Sequence, residues 1–257
     1  MLKTLLAHPL TRGLDVDAPE TTLLRGQIIQ EKPFLRQVYL EWYETLAARL
    51  PEPTEGAALE LGSGGGFGSQ IIPRLITSDV ILLSKIDVCL DGLALPYATA
   101  SLRAIVMTNV FHHLPQPTVF LKEAIRCLKI GGVIAMIEPW VTNWSRWVYT
   151  HFHDEPFDPS APLWGFDPTG PLSGANQALP WIVFERDRDE FTRSFPQLKI
   201  SANQPMMPIR YLLSGGVSMR SLAPGWSFPA WRWLESCLHR WMDRWGMFAL
   251  ITLERVE

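Results

Sequence analysis

Ala57-Ala58-Leu59-Glu60-Leu61-Gly62-Ser63-Gly64-Gly65-Gly66-Phe67-Gly68 decides the architecture. A short apolar run that ends in glycines reads as a buried strand delivering the chain to a loop. Four of the five positions from 62 to 66 are glycine, too many for a plain turn. Glycine permits φ > 0 and lets backbone approach a ligand closely. A helix is expected from about Phe67 to Leu75, its N-terminus offering unpaired N–H groups to the same ligand.

Outward from the loop, strands alternate with helices or short crossovers. Leu75–Asp79, Ile86–Asp91, Ala104–Thr108 and Val133–Pro139 read as strands. Gln116 to Leu128 reads as a helix with Val119, Phe120, Ala124, Ile125 and Leu128 on one face, capped by Gly131-Gly132. Phe34, Leu35, Val38, Leu40, Trp42, Tyr43 and Leu46 predict a helix over about 28–50, closed by Pro51-Glu52-Pro53. Such alternation implies an α/β fold with a parallel sheet covered on both faces. Its ligand site lies at the carboxyl ends of the strands. That rule aligns Gly62, Asp79, Asp91, Asn109 and Glu138 on one edge.

Beyond Glu138 the pattern changes. Residues 140–186 are rich in Trp, Pro, Gly and His and read as an irregular lid with short helices. A helix from Asp187, a strand from Leu198 to Ala202 and a final strand Met247–Leu253 follow. The boundaries are a helical segment 1–55, a core 56–139, the lid 140–186, the end of the sheet 187–204 and 247–257, and a cap 205–246. All form one domain.

The spacing of the glycines excludes a nicotinamide fingerprint. Starting at Gly62, G-x-G-x-x-G needs glycine at Phe67; starting at Gly64, at Ser69; starting at Gly66, at Ile71. No G-x-x-x-x-G-K-[ST] phosphate loop is present. By contrast, Glu60-x-Gly62-x-Gly64-x-Gly66 resembles the first motif of class I S-adenosylmethionine-dependent methyltransferases of the small-molecule type. Asp91-Gly92-Leu93-Ala94-Leu95-Pro96-Tyr97 resembles the family's segment after the third strand, and Val106–Leu114 its fourth strand and turn. Phe120–Gly132 resembles its E-x-x-R-x-L-x-x-G-G helix. The matches cover residues 56–139.

The resemblance implies a Rossmann-like sheet, mostly parallel with an antiparallel final strand, helices on both faces and an irregular cap. It also implies S-adenosylmethionine as cofactor and S-adenosylhomocysteine as product. Gly62, Ser63, Gly64 and Gly66 would meet the methionyl part, with Glu60 near its ammonium group. Asp79 would take the ribose hydroxyls; Asp91, Gly92 and Leu93 would read adenine; Asn109 and Val110 would line the sulfonium. Two departures stand out. Only Val80 to Lys85 follow Asp79 where the family has a helix, and Arg103 replaces a common acid at the fourth strand's start.

Methyl transfer to a hydroxyl needs alignment and a base, which near neutral pH is usually histidine. His112 and His113 follow the fourth strand, and His113 is the preferred base. His151, His153 and Glu155 could share one side of an extended segment. His151 and His153 are therefore further catalytic candidates, and no metal is expected. The acceptor pocket should draw on Trp140, Trp144, Trp147 and Trp164, and on Met206, Met207, Tyr211, Trp226, Trp231 and Trp233. These residues equally suit a core between cap and sheet. Trp with Arg on the segment 231–245 also fits a membrane surface, a less favoured reading.

Composition narrows the partners. The net charge of −3 and the lack of a basic run argue against nucleic acid. "D/N-P-P-Y/F" is absent, since Val110-Phe111 follows Asn109. Cys89, Cys127 and Cys237 lack metal spacing, and the first two read as buried thiols. The apolar stretch Met1–Pro9 is too short for a signal peptide, and a cytoplasmic location is expected. The function expected is methyl transfer to a small, partly apolar molecule, at oxygen first and nitrogen next. The alternatives are a same-fold enzyme with non-methylating chemistry or a non-catalytic binding subunit.

Overall fold

The computed structural model describes residues 8–257 apart from 12, 54, 55, 154 and 168; Met1–Ala7 of the apolar N-terminal stretch lie outside the described residues. Seven strands form one sheet: β1 (Ala57–Leu61), β2 (Leu75–Asp79), β3 (Val88–Cys89), β4 (Leu102–Thr108), β5 (Leu128–Pro139), β6 (Leu198–Met206) and β7 (Phe248–Arg255). Their order is β3-β2-β1-β4-β5-β7-β6. The first five pair in parallel, and β7 runs antiparallel to both β5 and β6. The order reverses between β1 and β4, so a crevice opens at their carboxyl ends.

Alternation along the strands builds a core on each face. Ile134 and Met136 of β5 join Leu59, Leu61, Ile105, Met107, Phe120 and Phe184 on one side. Val133, Ala135 and Ile137 join Ala58, Ala104, Val106, Trp42 and Phe34 on the other. Buried strands on both faces explain why these stretches read as continuous apolar runs. Arg103, the odd residue at the start of β4, is 2% exposed. Its guanidinium donates to the carbonyls of Gly56, Pro51 and Pro73, clamping the amino ends of the strands.

The expected helix over 28–50 is two helices, α1 (Pro19–Glu31) and α2 (Pro33–Ala47). Pro33 cannot donate to the preceding turn and pushes Lys32 out of helical conformation, to φ −96 and ψ 98. α1 carries no amphipathic signature: Leu23 is exposed while Ile28 and Ile29 are buried.

The helix expected over 67–75 does not form. The chain makes only a 3-10 turn at Gly68–Gln70, then bends at Pro73 and Arg74 (φ 55) into β2. Gly131-Gly132 does not cap the helix α3 (Pro117–Cys127), which passes directly into β5. Leu102 pairs with Leu128 but Ala104 with Val133, so residues 129–132 bulge, with Gly131 at φ 78.

After β5 comes α4 (Asn143–Phe152), whose N-terminus is a capping box between Thr142 and Ser145. Irregular chain leads to a π-helical turn at Ile182–Arg186 and to α5 (Arg188–Ser194). Between β6 and β7 lie α6 (Arg210–Ser214) and α7 (Phe228–Cys237). Arg210, 5% exposed, ties this second cap to α2: it pairs with Glu235 and forks onto both Glu41 oxygens at 2.7 Å.

The Trp-rich segment departs from the core expectation. Trp226 and Trp233 are 84% and 68% exposed, whereas Trp140 and Trp164 are buried. Cys127 is buried but Cys89, on the edge strand β3, is exposed. Among the described residues no helix is long and apolar enough to cross a membrane.

Candidate active site

A cavity of about 780 Å³ occupies the crevice at the carboxyl ends of β1, β2 and β4. Pockets of roughly 300–1,000 Å³ hold drug-sized ligands, so this one has room at the upper end of that range. Its floor is the glycine loop. Gly62 and Gly64 sit at φ 61 and 49, conformations side chains disfavour. A Cβ on Gly62 would also stand 2.4 Å from Val110 Cγ2.

The other glycines answer to packing. A Cβ on Gly65 would lie 2.0 Å from Gly26 Cα of α1, and one on Gly66 2.1 Å from the Tyr43 hydroxyl of α2. Two helices thus press on the loop from behind. α1 adds Thr22, Arg25 and Ile29 to the cavity wall, residues that no loop motif signals.

Asp79 is 5% exposed and lines the cavity despite the missing helix after β2. Its Oδ2 accepts from Gly64 N–H and its Oδ1 from Ile81 N–H, both at 3.0 Å. Burial pushes its pKa up against these bonds. Each oxygen keeps a further lone pair for a ligand hydroxyl. Glu60 departs from its expected place. It lies behind the loop, 2% exposed and off the cavity wall, accepting from Ser63 Oγ at 2.8 Å. Burial raises it to about 7, although bonds from Ser63 and Tyr43 favour its charge.

Asp91, Gly92 and Leu93 line the cavity with Leu90, and Asp91 Oδ1 accepts from Leu93 N–H at 2.8 Å. Asn109 (φ 57) and Val110 complete the wall after β4. Thr22 and Thr108 also line the cavity, and the hydroxyl of each is buried without a partner.

At one side of this wall lies an ionisable cluster. Parallel pairing of β4 with β5 sets Glu138 beside the turn after β4. Glu138 is fully buried; its Oε1 accepts from Val110 and Phe111 N–H at 2.8 Å and its Oε2 from His112 Nδ1 at 2.7 Å. His112 Nε2 lies 3.6 Å from Glu155 Oε2, to which Gln177 donates at 2.9 Å. Burial opposes charge on His112, but bonds and charges of Glu138 and Glu155 prevail and raise its pKa to about 9. His113 Nδ1 lies 3.0 Å from Gly174 O. Burial and the neighbouring His112 charge lower His113 to about 4. Burial would raise Glu155, yet its histidine neighbours hold it well below the usual carboxylate range.

The expected extended stretch of His151, His153 and Glu155 does not form. His151 belongs to α4, bonds back to Trp147 O at 2.7 Å, is exposed and lies off the cavity. His153 ends α4 and lines the cavity near Gln177. Asp154 lies outside the described residues. Of the expected acceptor residues, Trp147 and Tyr211 line the cavity, while Trp140, Trp144, Trp164, Met206, Met207, Trp226, Trp231 and Trp233 do not.

Residues 59–136 match the family model described as methyltransferase domain. No curated protein is a significant match. Among solved structures, a chain of a Haloferax volcanii complex containing the Trm112 methyltransferase activator superposes with TM-score 0.53 at 14% identity, covering 93% of this chain and 96% of that one. An S-adenosylmethionine-dependent methyltransferase from Thermotoga maritima gives 0.52 at 15%, covering 90% and 98%. Geranyl diphosphate C-methyltransferase from Streptomyces coelicolor A3(2), in complex with Mg2+, geranyl diphosphate and S-adenosyl-L-homocysteine, gives 0.50 at 16%, covering 98% and 92%.

Proposed function

We propose that the chain is a class I S-adenosylmethionine-dependent methyltransferase, and that it methylates an oxygen of a small, partly apolar molecule with His113 as base. In this reading all 257 residues serve one domain. Residues 56–139 hold the cofactor, and 140–186 with 205–246 shape the acceptor site.

The observation that carries the reading is the imidazole–carboxylate cluster on the wall that also holds the glycine loop. The bound cofactor supplies an electrophilic methyl group on sulfonium sulfur. The glycine loop, Asp79, Asp91, Gly92, Leu93, Asn109 and Val110 would hold and orient it. The apolar walls from Leu114, Trp147, Phe152 and Leu212 suit a partly apolar acceptor. His113 Nε2 would take the acceptor's hydroxyl proton as the methyl group is transferred to that oxygen.

Three features suit His113 to that step. A carbonyl can only accept, so its Nδ1 donates to Gly174 O and Nε2 keeps its lone pair. Its low pKa keeps it neutral near pH 7. Two carboxylates, Glu138 and Glu155, face one charged His112, so a proton on His113 brings the cluster to neutrality.

The test is release of S-adenosylhomocysteine against a panel of hydroxylated and aminated small molecules, followed by the His113→Ala variant. Loss of roughly 10²–10⁴ in kcat with cofactor affinity kept is the expected outcome. Turnover on amines alone, or full activity of the variant, would sink the reading.

A further inference from the structure

We propose that His112, His113 and Glu155 also form a binding site for one divalent transition-metal ion of the zinc class, which presents open coordination positions to the acceptor. The inference rests on the same cluster as the oxygen-methylation reading but on a different property of it.

One ligating atom from each of the three residues lies within 4.8 Å of the other two. An ion with bonds of about 2.0–2.2 Å to nitrogen and oxygen places its ligand atoms about 3–3.5 Å apart. The His112 Nε2 to Glu155 contact, at 3.6 Å, is already near that value. Only modest side-chain movement is needed to close the rest.

The stronger observation concerns the opposite ring nitrogens. His112 Nδ1 faces Glu138 Oε2 at 2.7 Å, and His113 Nδ1 faces Gly174 O at 3.0 Å. Both oxygens accept, so both Nδ1 atoms donate and both Nε2 atoms keep their lone pairs, that of His112 facing Glu155. A metal-binding histidine nearly always holds its other nitrogen on a carboxylate or a backbone carbonyl, and here one of each is present. The supports are themselves anchored: Glu138 accepts two backbone N–H groups, and Gln177 donates to Glu155.

A base needs one oriented imidazole. Charge balance asks only for a cation beside the two carboxylates, not for a second imidazole at a centroid distance of 4.2 Å with its Nδ1 also held on an acceptor. A metal site gives that reason. Imidazole ligands favour zinc, iron, nickel or copper over magnesium, which prefers oxygen. Two histidines and one carboxylate leave positions for exogenous oxygen. An acceptor hydroxyl coordinated there loses its proton to water more readily, and His113 then serves as ligand. Without the ion, His113 keeps the base role described above.

The test uses the full chain stripped with a chelator and titrated with Co2+, read by visible ligand-field absorption, with Zn2+ as competitor. One equivalent should bind and be displaced by zinc. Glu155→Ala should weaken binding at least about 100-fold while cooperative unfolding and cofactor affinity are kept. Glu138→Gln touches no ion and should weaken it about 10–100-fold through the His112 tautomer. His239→Ala, far along the second cap, should bind as the wild type does. Failure of the wild type to bind, or binding that survives both Glu155→Ala and His113→Ala, overturns the site. If the stripped protein still methylates hydroxyls through His113 and takes up no metal, the site fails and the base reading stands. Cobalt uptake with no oxygen methylation gives the converse.

Discussion

Gly65→Ala isolates the least expected feature of the site, the backbone contact between α1 and the glycine loop. The new Cβ would meet Gly26 Cα at 2.0 Å and Gly26 N at 2.3 Å. Ordinary contact begins at 3.4 Å, so α1 and the loop must separate by 3.4 − 2.0 = 1.4 Å. Both colliding groups are backbone, and no rotamer can relieve them. Overpacking costs about 1–3 kcal/mol, and this geometry belongs at about 3. For a chain of this size that is a fall of about 6–12 °C in Tm. The displaced helix carries Thr22, Arg25 and Ile29 of the cavity wall. A gap of about 1 Å forfeits up to half of a contact's attraction. Affinity for S-adenosylmethionine should drop about tenfold, or about 1.4 kcal/mol. Gly26→Ala, with 2.6 Å to Gly65 Cα, needs a separation of only 0.8 Å and should show the same two effects more weakly. Gly131→Ala meets nothing within 4 Å and pays only for its φ of 78, so it should lose stability but not affinity. Calorimetry and thermal melts read both quantities. A Gly65→Ala protein with Kd within twofold and Tm within about 1 °C of wild type would refute the claim that these glycines seat α1 on the loop.

Arg210→Met removes the cation between Glu235 and Glu41, leaving Glu41 only the exposed Arg232 at 3.3 Å, and breaking a buried pair costs about 3–5 kcal/mol. Tm should fall by about 6–20 °C, and adding Glu235→Leu should recover part of the loss; a drop under about 2 °C contradicts the tether. Glu60 has its folded pKa raised to about 7 from 4.5, so its contribution is fully present below pH 4.5 and lost as pH rises through 7. Glu60→Gln lacks that slope, and its Tm relative to wild type should therefore rise between pH 5 and pH 8. A constant difference would mean Glu60 is ionised in the fold throughout.

How far the sequence could be read follows from the physics of each part. Buried parallel strands are largely apolar on both faces, so β1 is found at Ala57–Leu61 as the pattern predicts. The glycine loop is legible because φ > 0 and close approach select one residue type. α1 is not legible, since its apolar side chains form no stripe and its purpose, to rest Gly26 on Gly65, shows only in three dimensions. The helix expected after the loop fails because the glycines serve packing against Tyr43 and Gly26 and Pro73 then turns the chain. Within the cluster, His112 and Glu138 are brought together by the register of β4 with β5, which the strand pattern makes available. Glu155 and Gly174 arrive on irregular chain with no periodic signal. Tryptophan usually marks burial, yet Trp226 and Trp233 stand in solvent, where residue type alone misleads.

If S-adenosylmethionine occupies the cavity over Gly62–Gly66, the loop's glycines control its binding. Titration calorimetry with S-adenosylmethionine on wild type and Gly64→Arg tests it most directly. Gly64 sits at φ 49 with Asp79 Oδ2 3.8 Å from where its Cβ would stand, so an arginine there fills the loop's cradle. One equivalent should bind to the wild type and none to a variant that still melts cooperatively. No binding to the wild type, or equal binding to both proteins, would contradict it.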